Sequence, residues 1–182
     1  KRVAFDICPV NMALNYLSQK LDRPFDKDGE LALMGQVIPD LLDKLNALSF
    51  YKSAPPKSLG REWFENEFLP LIANDELGVP DRLRTVAEHI GIQISNVLFL
   101  SPGTTMLTTG GGAYNNLLIE VIEEQVSRHG IHVVVPDSTI VEFKEAIIFA
   151  YLGLLRILEL PNSLASVTGA LDDSIGGAVY KG

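Results

Sequence analysis

The sequence predicts an α/β fold, either one compact domain or one large lobe of a bigger protein. Short apolar runs typical of strands, at residues 3–7, 105–107 and 131–135, alternate with longer segments of helical periodicity. Three consecutive glycines follow the second run and precede a helical pattern, which is a strand–turn–helix order. The chain has 182 residues, 47% of them hydrophobic, which is enough for one hydrophobic core.

Composition excludes several classes of protein. A net charge of −8 and the absence of a basic run argue against nucleic-acid binding. The single cysteine, Cys8, excludes an internal disulfide and fits a reducing compartment. The longest apolar run, residues 146–155, is about half of what a membrane span needs, and no signal peptide is recognisable. We therefore predict a cytoplasmic protein, and the missing initiator methionine leads us to expect that something precedes Lys1.

The first apolar run carries one carboxylate, Asp6. We predict that residues 3–7 form a buried strand ending before Pro9, and that Asn11 caps the helix that follows. Asp6 would then lie where a strand meets the edge of a sheet, a common place for ligand sites. The alternative is a carboxylate that bonds only to loop amides.

A loop at residues 53–62 concentrates hydrogen-bond donors. It follows a polar turn at residues 23–29 and an amphipathic helix that begins near Pro39. Lys57, Ser58 and Arg61 stand just before a helix carrying Phe64, Phe68 and Ile72. These donors could hold an anionic or hydroxyl-rich ligand, or the loop could be a solvated connection.

A long helix is predicted at residues 80–98, where apolar residues keep the helical period. His89, flanked by Glu88 and Ile90, is interpreted as a surface or boundary histidine. No second histidine or cysteine stands at metal-site spacing, so we predict no metal ligands.

The turn Gly110–Gly111–Gly112 allows close approach of the backbone to a ligand, and the next helix points its N-terminus at the same place. A nucleotide site and a plain bend are both open. Gly110 and Gly112 match the dinucleotide fingerprint, but Asn115 replaces its third glycine, and no Gly-Lys-Ser/Thr follows to make a Walker loop. The pattern is compatible with the sugar-kinase, heat-shock ATPase and actin architecture.

After the strand at residues 131–135, a helix is apolar on every face over residues 146–155 and is predicted to be buried between layers. Glu145 opens this run, and it either bonds to structural groups or lines a polar cleft. Residues 162–169 are predicted as a loop and residues 177–180 as a closing edge strand.

Five stretches in one order resemble the C-terminal half of the anhydro-N-acetylmuramic acid kinase family, over essentially the whole chain. They are Phe5-Asp6-Ile7-Cys8-Pro9-Val10-Asn11, Pro55-Pro56-Lys57-Ser58-Leu59-Gly60-Arg61-Glu62, Gly110-Gly111-Gly112-Ala113-Tyr114-Asn115, Glu145-Ala146 with Phe149-Ala150, and Ser166-Val167-Thr168-Gly169-Ala170. The resemblance implies an enzyme of bacterial peptidoglycan recycling that uses ATP and Mg²⁺. It opens the 1,6-anhydro ring of its sugar with water and phosphorylates the released 6-oxygen.

The resemblance also implies residue roles. Asp6 becomes the general base that activates water, and Glu145 a residue near the sugar. The resemblance places the nucleotide site at Gly110, Gly111, Gly112 and Asn115. It places the phosphate loop at Cys8, Pro9 and Asn11. The residues that shape the cleft would be Lys57, Ser58 and Arg61. Members of the family tend to be homodimers.

The fold implied by the resemblance is a ribonuclease H-like C-terminal lobe with a mixed sheet and a helical insertion at about residues 12–100. The N-terminal lobe, with the other phosphate loop, is absent from this chain, so we expect the chain alone to bind nucleotide weakly and to be inactive. Cys8 and Val10 replace glycine or small residues usual in the family, which puts close approach to phosphates in doubt. The alternative function is a non-catalytic nucleotide-binding or chaperone-like lobe that grips a partner.

Overall fold

The computed structural model describes residues 2–98 and 103–180 of the chain. The helices and strands in these ranges are α1 Asn11–Gln19, α2 Glu30–Leu33, α3 Pro39–Asn46, α4 Arg61–Trp63, α5 Leu69–Ile72, α6 Val79–Val97, β1 Thr105–Leu107, α7 Asn116–Ser127, β2 His132–Val134, α8 Ser138–Ile157 and α9 Ala165–Thr168. A π-helical segment, Phe64–Phe68, joins α4 to α5 into one continuous helical stretch. Single 3₁₀ turns lie at Lys27–Gly29, Ser49–Lys52 and Gly111–Tyr114.

The core is built around α6, which packs against α1, α2, α3 and α7. Its apolar side is fully buried, as the helical period predicts, through Leu83, Val86, Ala87 and Ile90. Pro80 lies in the first turn, where the missing N–H costs nothing. The predicted helices that begin near Pro39 and that carry Phe64, Phe68 and Ile72 are confirmed.

The prediction that His89 lies at the surface is wrong. Its side chain is 0% exposed on α6. Nδ1 lies 2.7 Å from Asn46 Oδ1 and Nε2 lies 2.9 Å from the Tyr51 hydroxyl, so both ring nitrogens have partners. The ring also packs against those of Tyr51 and Phe68. Burial of this polar ring is possible because residues distant in sequence supply its hydrogen bonds.

Two short parallel strands, β1 and β2, are joined by α7 into a β–α–β unit. The pairing runs Thr105 to His132, Met106 to Val133 and Leu107 to Val134. The α/β class and the strands at residues 105–107 and 131–135 are therefore confirmed, the second one shorter than predicted. A wider mixed sheet stays a prediction.

Three other predictions about strands and loops are wrong. Residues 3–7 form an extended segment outside any strand, with Val3 59% exposed, and Asp6 N donates to Lys57 O in a loop. Residues 177–180 are also not a strand, and the only pairing described near them is an isolated bridge between Ser163 and Ser174. Residues 162–169 include the helical turn α9. An apolar run forms a strand only where a second strand accepts its hydrogen bonds, and local sequence does not encode that partner.

The prediction that α8 is buried is wrong. Asp137 caps the helix by accepting a hydrogen bond from Ile140 N, yet Val141 is its only buried residue. Phe149 and Ile157 are 70% and 72% exposed. Within the described ranges, α8 makes its main contact with the turn Gly111–Tyr114, and no second layer covers it. No helix in these ranges is both long enough and apolar enough to cross a bilayer.

Candidate active site

Asp6 is held by the donor-rich loop at residues 53–62. Its Oδ2 accepts a hydrogen bond of 3.0 Å from the Ser58 hydroxyl and one of 2.7 Å from Leu59 N. Its own N–H donates to Lys57 O at 3.1 Å. The side chain is exposed, and Oδ1 accepts no hydrogen bond from the residues that the structure describes. One carboxylate oxygen is thus oriented by protein donors while the other is available to a ligand or to water.

The other two donors of this loop have partners away from Asp6. Lys57 Nζ donates to Phe50 O at 3.1 Å and lies 4.5 Å from the centre of the Phe50 ring. Partial burial lowers the pKa of this ammonium group. Arg61 is exposed and pairs with Glu65 one helical turn away at 2.8 Å. Of the three residues predicted to shape a cleft, Ser58 is therefore the one whose side chain contacts Asp6.

The glycine turn leads directly into α7. Gly110 has a φ of +85°, a backbone conformation that glycine adopts at little cost. The 3₁₀ turn Gly111–Tyr114 follows, and Asn115 caps α7 by accepting a hydrogen bond of 2.9 Å from Leu118 N. The Asn115 carboxamide therefore orients the first turn of the helix beside the glycines.

A pocket of about 530 Å³ lies beside this turn. It combines three segments that are distant in sequence, and its lining residues are Asn11, Leu14, Asn15, Phe25, Asp26, Lys27, Asp28, Gly111, Gly112, Tyr114 and Asn115. Asn11 does not cap α1 as predicted, because it is the first residue of that helix and the capping position belongs to Val10. Its carboxamide instead lies against Gly111 and Gly112. The predicted phosphate loop and the predicted nucleotide turn therefore meet at one pocket.

The bulkier residues of the predicted phosphate loop point towards the core. Cys8 and Val10 are partly buried against it, Pro9 is buried, and none of the three lines the pocket. Burial raises the pKa of the Cys8 thiol to about 12, so the thiol stays protonated at neutral pH. Val10 also lies beside the glycine turn, with Cγ1 3.7 Å from the position of an ideal Cβ on Gly112.

Sequence reasoning missed one wall of the pocket, residues 25–28. Asp26 is buried, and its two carboxylate oxygens accept hydrogen bonds from Leu31 N at 2.8 Å and Ala32 N at 3.0 Å, which caps α2. Gly29, with a φ of +78°, packs so closely on α7 that an added Cβ would lie 2.5 Å from Leu117 Cβ. The Asp28-Gly29 pair signalled a turn, but its contact with α7 is visible only in three dimensions.

Glu145 lies on the exposed side of α8 and makes no side-chain hydrogen bond or ion pair with the described residues. Its helix nevertheless adjoins the glycine turn. The Tyr114 hydroxyl donates to Glu142 at 3.3 Å, and Lys144 Nζ lies 3.7 Å from the position of an ideal Cβ on Gly110. The contacts between α8 and the turn are therefore made by Glu142 and Lys144, and Glu145 has no bond to structural groups among the described residues.

Few oxygen donors near the pocket are available to hold a magnesium ion. Within residues 2–98 and 103–180, no three His, Cys, Asp or Glu side chains converge as a metal-binding group. Both oxygens of Asp26 already accept main-chain hydrogen bonds, which leaves Asp28 as the available carboxylate of the pocket wall. Because Mg²⁺ needs nearly octahedral oxygen coordination, this set does not by itself define a magnesium site.

Comparison with known proteins covers the whole chain. The profile of the anhydro-N-acetylmuramic acid kinase family matches residues 1–182. Proteins named anhydro-N-acetylmuramic acid kinase from Hahella chejuensis and Vibrio parahaemolyticus are each 33% identical to the chain, over 98% and 97% of its length. One from Shewanella frigidimarina is 31% identical over 98% of the chain. These alignments cover 49%, 49% and 50% of the relatives, so the chain spans about half their length.

The β–α–β unit and the pocket beside its glycine turn define an α/β protein with a candidate ligand pocket. The profile match identifies its family. The chain belongs to the anhydro-N-acetylmuramic acid kinase family.

Proposed function

We propose that this chain is the C-terminal, ribonuclease H-like lobe of an ATP-dependent kinase that converts anhydro-N-acetylmuramic acid to N-acetylmuramic acid 6-phosphate. The family match over residues 1–182 carries the proposal. The pocket that unites the first motif with the glycine turn supports it, because nucleotide sites in α/β proteins are built from such turns and helix N-termini.

In the proposed reaction, Asp6 is the general base. It takes a proton from water as the water oxygen forms a bond to C1 of the sugar. The bond between C1 and O6 breaks, O6 bonds to the γ-phosphorus of ATP, and ADP leaves. The geometry of Asp6 supports this role, since Ser58 and Leu59 orient the carboxylate through Oδ2 and no described residue donates a hydrogen bond to Oδ1. Glu145 is proposed to contact the sugar or the water from α8.

ATP is proposed to bind along the glycine turn, with Gly110, Gly111, Gly112 and Asn115 at the nucleotide and the loop of Cys8, Pro9 and Asn11 at the phosphates. Main-chain N–H groups of the turn and of the first turn of α1 would contact the anion, which fits the close approach of Asn11 to Gly111. Mg²⁺ bound with ATP would neutralise charge on the transferred phosphoryl group. Lys57 and Arg61 remain candidates for the rim of the cleft.

The rest of the catalytic cleft is proposed to come from the half of the relatives' length that this chain does not span. Phosphoryl transfer needs charge stabilisation from both sides of a cleft, so the chain alone should bind nucleotide weakly and be inactive. Homodimerisation and a cytoplasmic location stay predictions.

The test compares the full-length protein and its Asp6→Asn variant in an assay of ATP-dependent phosphorylation of the anhydro-sugar. We expect turnover by the unaltered protein, a loss of several orders of magnitude in kcat in the variant, and unchanged ATP binding. Substantial turnover by the variant would remove Asp6 from its role. If the unaltered protein binds ATP and never phosphorylates the sugar, the alternative of a non-catalytic nucleotide-binding lobe is the correct one.

A further inference from the structure

We infer that Asn15 and the wall of residues 25–28 recognise the nucleoside, with Asn15 selecting adenine, Phe25 stacking on the base and Asp28 accepting the ribose hydroxyls. This inference rests on the proposed function, since it assumes that the 530 Å³ pocket beside the glycine turn takes a nucleotide. The wall and the glycine turn line the same pocket, so a ligand whose phosphates lie at the glycines has its remaining part within reach of the wall.

Phe25 provides an aromatic surface in the pocket. Its side chain is 55% exposed although it adjoins the buried Asp26. An aromatic ring that lines a pocket and is left half open to solvent gains by covering its face with a flat ligand. Bases stack on such rings with useful energy.

Asn15 lies one helical turn after Asn11 on α1, and both line the pocket. Its carboxamide makes no hydrogen bond with the described residues, although the residue is only partly exposed. An amide offers one acceptor and two donors, which matches the N6 amino group and N7 of adenine. Guanine presents two acceptors at the same edge, O6 and N7, and leaves the amide oxygen unpaired. Asn15 therefore favours adenine.

Asp28 presents a carboxylate without a partner among the described residues. It has a φ of +56°, so its backbone is in the left-handed region that Asp and Asn tolerate best after glycine. The capping bonds of Asp26 and the close packing of Gly29 on α7 fix the backbone on both sides of it. A carboxylate held in this way is suited to two neighbouring hydroxyls, as in other nucleotide sites.

Equilibrium dialysis of the full-length protein with ATP, GTP and 2′,3′-dideoxy-ATP tests the inference. We expect the unaltered protein to bind ATP about tenfold more tightly than GTP. Asn15→Ala should weaken the binding of ATP about tenfold and leave the binding of GTP unchanged. Only adenine pairs with both the donor and the acceptor of the amide. Phe25→Ala should weaken the binding of all three nucleotides about tenfold.

Asp28→Asn should weaken the binding of ATP several-fold and leave the binding of dideoxy-ATP unchanged. Asparagine is chosen because it tolerates the left-handed backbone at this position. Phe143→Ala is the matched control, since Phe143 is 56% exposed on α8 outside the pocket and should leave every affinity unchanged. Circular dichroism establishes that each variant is folded.

Two results are distinguishable. If the unaltered full-length protein binds no nucleotide at millimolar concentration, the proposed nucleotide site fails and the inference fails with it. If the unaltered protein binds ATP and the folded variants at Asn15, Phe25 and Asp28 keep its affinities, the wall does not recognise the nucleoside, while the proposed function stands.

Discussion

The Ser58 hydroxyl donates a hydrogen bond of 3.0 Å to the carboxylate of Asp6, across 52 residues of sequence. Leu59 N donates to the same oxygen at 2.7 Å. Through Ser58 and Leu59, the loop at residues 53–62 therefore orients the proposed base. A fixed carboxylate loses less entropy when it takes up a reacting water.

Ser58 should accordingly behave as a positioning residue in the full-length protein. Ser58→Ala removes one of two donors to a charged acceptor, so we expect kcat to fall about tenfold while the KM for ATP is unchanged. Ser58→Thr keeps the hydroxyl and should restore most of the rate. Steady-state kinetics with both substrates measures kcat and KM separately. An effect confined to KM would show that Ser58 does not position Asp6 for the reaction.

Gly29 should be intolerant of any side chain. Gly29→Ala combines a strained φ of +78° with a Cβ placed 2.5 Å from Leu117 Cβ, and we expect a loss of about 2–4 kcal/mol in the free energy of unfolding. Gly103→Ala is the matched control, because Gly103 has a φ of +84° and none of the described residues lies within 4 Å of an added Cβ. Urea unfolding of both variants separates backbone strain from the contact, and equal losses would show that the contact does not matter.

Burial of His89 should make the protein less stable in acid. Burial lowers the pKa of its imidazole from 6.5 to about 3 in the folded protein. The unfolded chain therefore binds a proton that the folded chain does not, and the contribution of His89, complete above about pH 6.5, is lost as pH falls towards 3. Between pH 7 and pH 5 the loss is about 2 kcal/mol from this residue.

A substitution isolates that contribution from those of the carboxylates. His89→Gln removes the titrating group and retains an amide for Asn46 and Tyr51. The variant should be less stable than the unaltered chain at pH 7, and the difference between the two should shrink at pH 5. Urea unfolding at both pH values measures it, and a constant difference would exclude His89 as the source.

The exposed apolar side of α8 should tolerate polar substitution. Phe149→Ser and Ile157→Ser replace side chains that are 70% and 72% exposed, so the free energy of unfolding of the chain should change by less than about 0.5 kcal/mol. Val141→Ala, at the buried residue of the same helix, should cost about 1 kcal/mol or more. A large loss in either serine variant would mean that α8 is covered in the folded chain.

Much of the helical structure was predictable because its signals are local. Proline at the start of α3 and α6 and the apolar period of α6 depend only on neighbouring residues. Burial was less predictable. The apolar run of α8 resembles a core helix and has no covering layer in the described ranges, whereas His89 looks like a surface residue and has two distant hydrogen-bond partners.

The site was predictable in its parts. Asp6, the glycine turn and the loop of Ser58 each stood out as motifs, because turn chemistry and helix capping leave signatures in a few consecutive residues. The wall at residues 25–28 left only the signature of a turn. The wall lies close to α7 because Gly29 packs against Leu117. These residues are distant in sequence, so the apolar periodicity does not predict their contact.

The sequence by itself determined the α/β class, the main helices, the two paired strands and membership of a kinase family, since each follows from local pattern or from motifs in order. Only the tertiary structure decided that Ser58 hydrogen-bonds to Asp6, that Asn11 reaches the glycine turn, and that Cys8 and Val10 pack against the core. The reason is physical: hydrogen bonds and packing across long sequence separations form only when the whole core brings their partners together.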